Sequence, residues 1–346
     1  MTRPANRQWL LARRPRGELS ADDFKWVTSE VRTPGSGEVL VRNLFLSCDP
    51  TQRGWAAGET YFPAVRMGDV MRSFAAGEVL ESNDPTFQKG QIIQGLFGWQ
   101  DYAVVSQQHA EFPILPVPRG VSIETAMSVL GNTGITAYFG LLEIGRARTG
   151  ETVVVSAASG ATGMAAAQIA KIIGCRTVGI AGGPDKCRYL VEELGLDAAI
   201  DYKGENVITR MRELCPTGID VYYDNVGGRI LEAALANLAL HGRIVLCGAI
   251  SGYNEAGGPP GPRNYMKLLT ARGRMEGFVV VDYMPRAEEA TTAIAGWLRE
   301  GKLKDLVDVQ HGLENAPAIM QRLFTGQNRG KLLIKIADAG DAGGAR

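Results

Sequence analysis

Residues 153–175 read VVVSAASGATGMAAAQIAKIIGC, and the meaning of their centre decides the fold. Val153–Val155 is a continuous β-branched run, the pattern of a strand buried on both faces. Ala165–Ile173 is apolar and rich in helix formers. Between them stands Ala158-Ser159-Gly160-Ala161-Thr162-Gly163, a dinucleotide fingerprint with alanine where G-x-G-x-x-G begins. On spacing alone G-x-x-G also fits a plain tight turn. The strand before it and the helix after it are the context that a phosphate loop requires. In that reading Gly160 lets the backbone approach a pyrophosphate. Gly163 lets the helix pack closely on the strand, and the free N–H groups around Ala161 and Thr162 face the phosphates. Ala158 is acceptable at the entry if its φ stays negative.

Downstream of this stretch strands and helices alternate. RTVGIAG, AAIDY, GIDVYYDNV and GRIVLCGAI read as strands, and PDKCRYLVEELG, ENVITRMRELC and ILEAALANLAL as helices. This rhythm predicts a doubly wound parallel sheet covered on both faces. Upstream the pattern differs. GEVLVRNLFLSCDP, DVMRSFAAGEVLES and QIIQGLFGWQDYAVVS are short strands punctuated by Gly and Pro, which predicts a small barrel turning corners at glycines. Ser122 and Thr125 are candidate caps where the pattern changes. The last strand, GKLLIKIA, is expected to return to the N-terminal part. The division expected is therefore 1–126 with 312–346 as a barrel-like domain, and 127–311 as a nucleotide-binding domain.

The bulk numbers agree with a two-domain globular protein and exclude several other classes. The chain has 346 residues, long for a single core. Its formal net charge is zero and it has no basic run, so nucleic acid is not an expected partner. No apolar stretch approaches the roughly 20 residues that span a bilayer, and the first residues lack a secretory h-region. The five cysteines, Cys48, Cys175, Cys187, Cys215 and Cys247, are dispersed, which suits a reducing cytoplasm.

The second strand selects the cofactor. An NAD site places a carboxylate at its end, on the ribose hydroxyls. Here Thr177–Ile180 is followed by Ala181-Gly182-Gly183-Pro184-Asp185-Lys186, with Arg188 close behind. A 2′-phosphate prefers such a site, because a carboxylate repels it and a cation attracts it. This favours NADP, although Lys186 and Arg188 also fit solvated charges at a helix start. A catalytic zinc needs about three Cys, His or carboxylate ligands. The chain holds only His109, His241 and His311, and Cys48 lacks partners in sequence, so a metal-free site is expected. Cys48 then reads as a half-buried hydrophobe. Something else must polarise the acceptor. Among Tyr61, Tyr102, Tyr253 and Tyr265, the phenol of Tyr253 stands out, just past the strand GRIVLC where ligands bind such sheets.

Together these residues resemble the zinc-independent medium-chain dehydrogenase/reductases of the leukotriene B4 12-hydroxydehydrogenase, prostaglandin reductase and plant double-bond reductase type. The resemblance covers nearly the whole chain. It is carried by FLSCDPTQRG, GDVMR, GWQDYAVV, TAYFGLL, AASGATG, YDNVGG, CGAISGYN, EGFVV and NRGK, of which YDNVGG with CGAISGYN is specific. It implies an α/β architecture, with a GroES-like β-barrel catalytic domain and a doubly wound parallel-sheet (Rossmann) domain. It also implies an NADPH-dependent reductase of the C=C bond of α,β-unsaturated ketones and aldehydes, and a homodimer. Carried onto this chain, Gly160, Ala161, Thr162 and Gly163 hold the pyrophosphate, and Lys186 and Tyr202 the 2′-phosphate. Asn225, Cys247, Gly248, Ala249, Ile250, Ser251, Tyr253, Phe278, Val279, Val280 and Asn328 contact the rest of the cofactor. Tyr253 reaches the substrate carbonyl, and Tyr61, Asn132 and Thr133 line the substrate pocket. Where the family has LGMPG this chain has Leu130-Gly131-Asn132-Thr133-Gly134. That more polar wall suits a smaller or oxygenated enone over a lipid-like one. A quinone reductase on the same fold and a non-catalytic NADPH-binding protein are the alternatives; CGAISGYN argues against the first.

Overall fold

The computed structural model describes residues 4–255 and 260–340. They form two compact units. One takes in the described residues of Met1–Met127, Asp308–Gln327 and Leu332–Arg346, and the other Ser128–Val307 with Asn328–Lys331. Residues 308–311 thus join the first unit, and the returning stretch 328–331 joins the second, whereas the sequence groups all of 312–346 together. Hydrogen bonding explains the latter: Gly330 N–H donates to Ser159 O and Lys331 N–H to Leu306 O, both at 2.8 Å.

The second unit is a six-stranded sheet. Its elements are β1 (Thr152–Val155), α1 (Ala161–Ile172), β2 (Arg176–Ala181), α2 (Pro184–Glu192), β3 (Ala198–Asp201) and α3 (Val207–Leu214). β4 (Ile219–Asp224), α4 (Gly228–Ala236), β5 (Leu238–Leu246) and β6 (Arg274–Gly277) complete it. The strand order is β3-β2-β1-β4-β5-β6, and every adjacent pair is parallel. Side chains alternate across a strand, so a sheet covered on both faces needs apolar residues at every position. β1 does this: Val153 and Val155 enter one core with Val221, Tyr223 and Val245, while Val154 enters the other with Val178, Ile180, Tyr222 and Ile244. α1 is buried nearly all round, and its small residues Ala165, Ala166, Ala167 and Ala170 allow that close packing. One boundary differs from expectation. The helix through ILEAALANLAL stops at Ala236, and Leu238 already belongs to β5. Asn237 leaves helical geometry there, at φ −116° and ψ 15°.

The first unit holds a seven-stranded sheet. Val39–Ser47, buried along its whole length, pairs antiparallel with Phe74–Ser82, Tyr102–Val105 and Lys331–Lys335. The last of these is the returning C-terminal strand. Gly77 sits opposite Asn43 beside a register shift. A Cβ there would stand 2.4 Å from Arg42 O, so only glycine permits this corner. Ser122 caps the helix Ile123–Met127 by accepting Thr125 N–H at 3.1 Å. Cys48 is fully buried, not half-buried. No helix among the described residues is long and apolar enough to cross a membrane.

Candidate cofactor and active site

Five strands of the parallel sheet end at residues that the sequence nominates. Gly160–Gly163 follow β1, Tyr202 follows β3, Asn225 follows β4, Cys247–Tyr253 follow β5 and Phe278–Val280 follow β6. β2 ends at the Gly182-Gly183 pair, which leads to Lys186 in α2. The carboxyl edge of such a sheet is where ligands bind, because loops there diverge and helix N-termini converge.

The phosphate loop is strained at one point. Ala157 has φ +48°, in the left-handed region that costs a non-glycine residue about 1–2 kcal/mol. The left-handed residue therefore lies one position before the missing glycine, and Ala158 keeps a negative φ. Ala158 N–H donates to Ile180 O at 2.9 Å, tying the loop to β2. Gly160 is the N-cap of α1, in extended geometry and with no side-chain cap. The first N–H groups of α1, on Ala161, Thr162 and Gly163, lack intrahelical acceptors and are available to an anion. Gly163 fills its predicted packing role: a Cβ there would lie 2.3 Å from Ala157 O. At Gly160 a Cβ would meet only Ala157 O, at 3.3 Å. The returning segment closes the loop's flank through a Gly160–Gly330 bridge, and Asn328 O accepts from Lys186 Nζ at 2.7 Å.

No carboxylate ends β2. Asp185, two residues after Gly183, pairs with Arg188 at 3.3 Å, and both are exposed. Arg188 thus shares its charge with a neighbour on its own helix. Tyr202 is 43% exposed and packs over Gly182, where a Cβ would stand 2.9 Å from its Oη. Asp201 accepts Gly183 N–H at 2.7 Å and Lys203 N–H at 3.0 Å. The Gly183 bond holds its carboxyl below the usual aspartate range. These contacts fit a nicotinamide cofactor with a 2′-phosphate: a glycine cradle for the pyrophosphate, a lysine, a phenol, and no free carboxylate.

The far side of the edge is organised by Asp224, which is buried. Its Oδ1 accepts Tyr222 Oη at 3.0 Å, Val226 N–H at 3.0 Å, Gly227 N–H at 2.9 Å and Ser156 Oγ at 3.2 Å. Its backbone carbonyl accepts Cys247 N–H at 2.9 Å and Gly248 N–H at 3.0 Å. Burial nevertheless holds its carboxyl above the usual range. Ser156 Oγ accepts Asn225 N–H at 2.9 Å, and Ser156 O accepts Asn225 Nδ2 at 2.7 Å. Three loops are thereby locked together. A Ser156→Ala variant orphans Asn225 N–H, and is expected to lose about 1–2 kcal/mol of stability in urea unfolding with an unchanged m-value.

Tyr253 belongs to the loop fastened this way. Ser251 N–H and Oγ both donate to Val226 O, at 3.1 and 2.6 Å. Tyr253 Oη accepts Ala249 N–H at 3.1 Å. Burial raises its phenol pKa, while the Ala249 bond opposes that shift. The phenol is thus fixed by a bond to its oxygen and keeps its own proton for donation. Burial also pushes the Cys247 thiol up to about 12, so it is a neutral wall and not a nucleophile.

The remaining nominated residues lie as follows. Phe278 packs against Gly140, where a Cβ would stand 2.5 Å from its ring, and meets Tyr283 edge-on at 6.1 Å. Val279 O accepts Asp282 N–H at 3.2 Å. Val280 packs with Ile135 and Phe139 of the helix Asn132–Phe139. That helix opens with Asn132 and Thr133. Thr133 Oγ1 donates to Ser128 O at 2.8 Å, which spends its proton; the Asn132 carboxamide has no hydrogen-bond partner among the described residues. Tyr61 is in the first unit, 49% exposed, with Oη 2.8 Å from Thr51 Oγ1. Among the described residues no group of three or more His, Cys, Asp or Glu is placed to hold a metal ion.

Comparison with known proteins bears on this arrangement. Residues 7–112 match the family described as N-terminal domain of oxidoreductase, and 161–295 the family described as zinc-binding dehydrogenase. The NADPH-dependent curcumin reductase of Escherichia coli (strain K12) is 40% identical over 338 residues, covering 96% of this chain and 97% of that protein. The 2-alkenal reductase (NADP(+)-dependent) of Nicotiana tabacum is 38% identical, covering 96% and 98%. The chain belongs to the zinc-independent medium-chain dehydrogenase/reductases of the double-bond reductase type. The crystal structure of CurA from Vibrio vulnificus in complex with NADPH superimposes at TM-score 0.89, with 37% identity, covering 96% of this chain and 99% of that one.

For this double-bond reductase, sequence reasoning missed Asp224, Ser156 and Asp201, which hold the loops of the site together. Asp224 stands inside YDNVGG and was visible as a motif without a role. Its function is to accept donors from three loops far apart in sequence, which no local pattern reveals.

Proposed function

We propose that the protein reduces the C=C bond of α,β-unsaturated ketones and aldehydes, using NADPH. NADPH supplies the hydride, which goes to the β-carbon. Negative charge then gathers on the substrate's carbonyl oxygen as the enolate forms, and the Tyr253 O–H donates to that oxygen. The α-carbon takes a proton derived from solvent. The observation carrying this reading is Tyr253 itself, a half-buried phenol held through its oxygen by Ala249 N–H, on a loop at the carboxyl edge of the sheet. Preorganised donors of this kind lower the barrier because they need no reorientation when charge appears. An NADPH-oxidation screen over enals, enones and quinones, with product identification, tests it. Saturated ketones or aldehydes are the expected products; hydroquinones alone would replace this reading with a quinone reductase.

The same proposal assigns Tyr61, Asn132 and Thr133 to the substrate. Asn132 supports a preference for compact or oxygenated enones, since its unpartnered carboxamide is poorly matched to an alkyl chain. Asn132→Met is expected to raise kcat/KM for a long-chain enal over an aryl enone by about ten-fold, the scale of one apolar contact in a pocket. An unchanged ratio removes Asn132 from the pocket. We further propose a cytoplasmic homodimer. All five cysteines are free thiols, and β6 is the outer strand of its sheet, leaving an edge to be covered. Light scattering in solution measures the dimer.

A further inference from the structure

We propose that Lys203 is a specificity-determining residue that reads the 2′-phosphate of the cofactor, alongside Lys186 and Tyr202. The proposal rests on the NADP reading above. A Cβ on Gly182 would stand 2.9 Å from Tyr202 Oη and 3.0 Å from Lys203 Cε, so both side chains fold over the glycine that ends β2. Their backbone is fixed there. Tyr202 N–H donates to Ala181 O at 3.1 Å, and Asp201 Oδ1 joins Lys203 N–H to Gly183 N–H. The loop after β3 is therefore clamped to the loop after β2, where the ribose of a dinucleotide sits in such sheets.

Most of the carboxylates nearby are already engaged. Asp185 is paired with Arg188. Glu205 accepts Asp201 N–H at 2.7 Å and pairs with Arg210 at 2.7 Å. The Asp201 Oδ1 accepts the two backbone donors, and its charge interacts with Lys203 without forming an ion pair. The Lys203 ammonium has no ion-pair partner among the described residues. Lys186, in the first turn of α2, is steadied by Asn328 O. A dianionic phosphate placed against Gly182 meets two ammonium groups and a phenol, whereas the neutral 2′-hydroxyl of NADH gains nothing from either charge. Lys203 thus takes the part that chain order suggests for Arg188.

Calorimetric binding of adenosine 2′,5′-bisphosphate and of adenosine 5′-monophosphate to the full-length protein tests this without turnover. Lys203→Gln is expected to weaken the bisphosphate about ten-fold, the scale of one charge-assisted hydrogen bond, and to leave the monophosphate unchanged. Its bisphosphate affinity also becomes less sensitive to salt. Lys203→Arg restores most of the loss, and Arg188→Gln changes neither ligand. Unchanged bisphosphate affinity in Lys203→Gln, with a loss in Lys186→Gln, overturns the proposal and spares the NADP reading. A wild-type protein that binds the two ligands equally overturns both.

Discussion

Tyr253→Phe is expected to lose ~10²–10³-fold in kcat for enone reduction, the usual cost of removing one preorganised oxyanion donor. The ring stays and the proton goes. Affinity for NADPH is expected to change only a few-fold. The phenol oxygen also accepts Ala249 N–H, but Ala249 is half-buried and water replaces that acceptor at a cost of about 1 kcal/mol. A loss confined to kcat, with KM for NADPH nearly constant, therefore marks a transition-state role. A loss shared equally between kcat and cofactor binding assigns the hydroxyl to loop structure instead. Full turnover removes Tyr253 from the chemistry. The pH profile offers a second reading. Burial holds the phenol above its ordinary value of 10.0, so the donor keeps its proton through the range where an exposed tyrosine ionises. Any alkaline decline of wild-type kcat through this group is expected at higher pH than the ionisation of an exposed tyrosine would give.

How far the sequence discloses this molecule depends on the range of the interaction. Val153–Val155 announces a strand buried on both faces, because period-2 geometry leaves no polar position in it. The alternation from Glu151 onward announces a parallel sheet, and a parallel sheet announces a site at its carboxyl edge. That chain of inference is local at each step, so it survives in one dimension. What fails is what depends on distant partners. The helix expected through Leu240 ends at Ala236, because β4 and β6 recruit Leu238–Leu246 into the sheet. Lys186 reads as a phosphate ligand from its place after the second strand, but the contact that steadies it comes from Asn328, 142 residues away in sequence. Ala157 carries the left-handed turn that the fingerprint assigns to a neighbouring glycine, and only the backbone angle reveals it. Asp224 organises the site through donors contributed by residues as far apart as Ser156 and Gly248. Short-range patterns thus give the frame, and long-range hydrogen bonds set which residues within it matter.

The two glycines of the phosphate loop make that distinction measurable, since they carry different duties in one motif. Gly163→Ala drives a Cβ to 2.3 Å from Ala157 O and 2.8 Å from Ala157 C. Both are backbone atoms of a residue already strained at φ +48°, so neither has a soft direction in which to yield. α1 must lift off β1, and the cores on that side of the sheet open with it. The expected cost is about 3 kcal/mol or more, at the upper end of overpacking substitutions, seen as a lowered urea midpoint before any ligand is added. Gly160→Ala adds the same methyl where it meets a single atom at 3.3 Å and φ is −90°, which alanine adopts freely. Its fold is expected to keep wild-type stability within about 1 kcal/mol. Its affinity for NADPH should fall at least ten-fold, because the methyl occupies the face across which the pyrophosphate approaches the N-terminus of α1. The decisive result is the crossing of the two effects, stability lost at one glycine and binding at the other. If Gly160→Ala binds NADPH as wild type does, the pyrophosphate lies elsewhere. If Gly163→Ala unfolds at the wild-type midpoint, α1 has room that its contacts with Ala157 do not leave it.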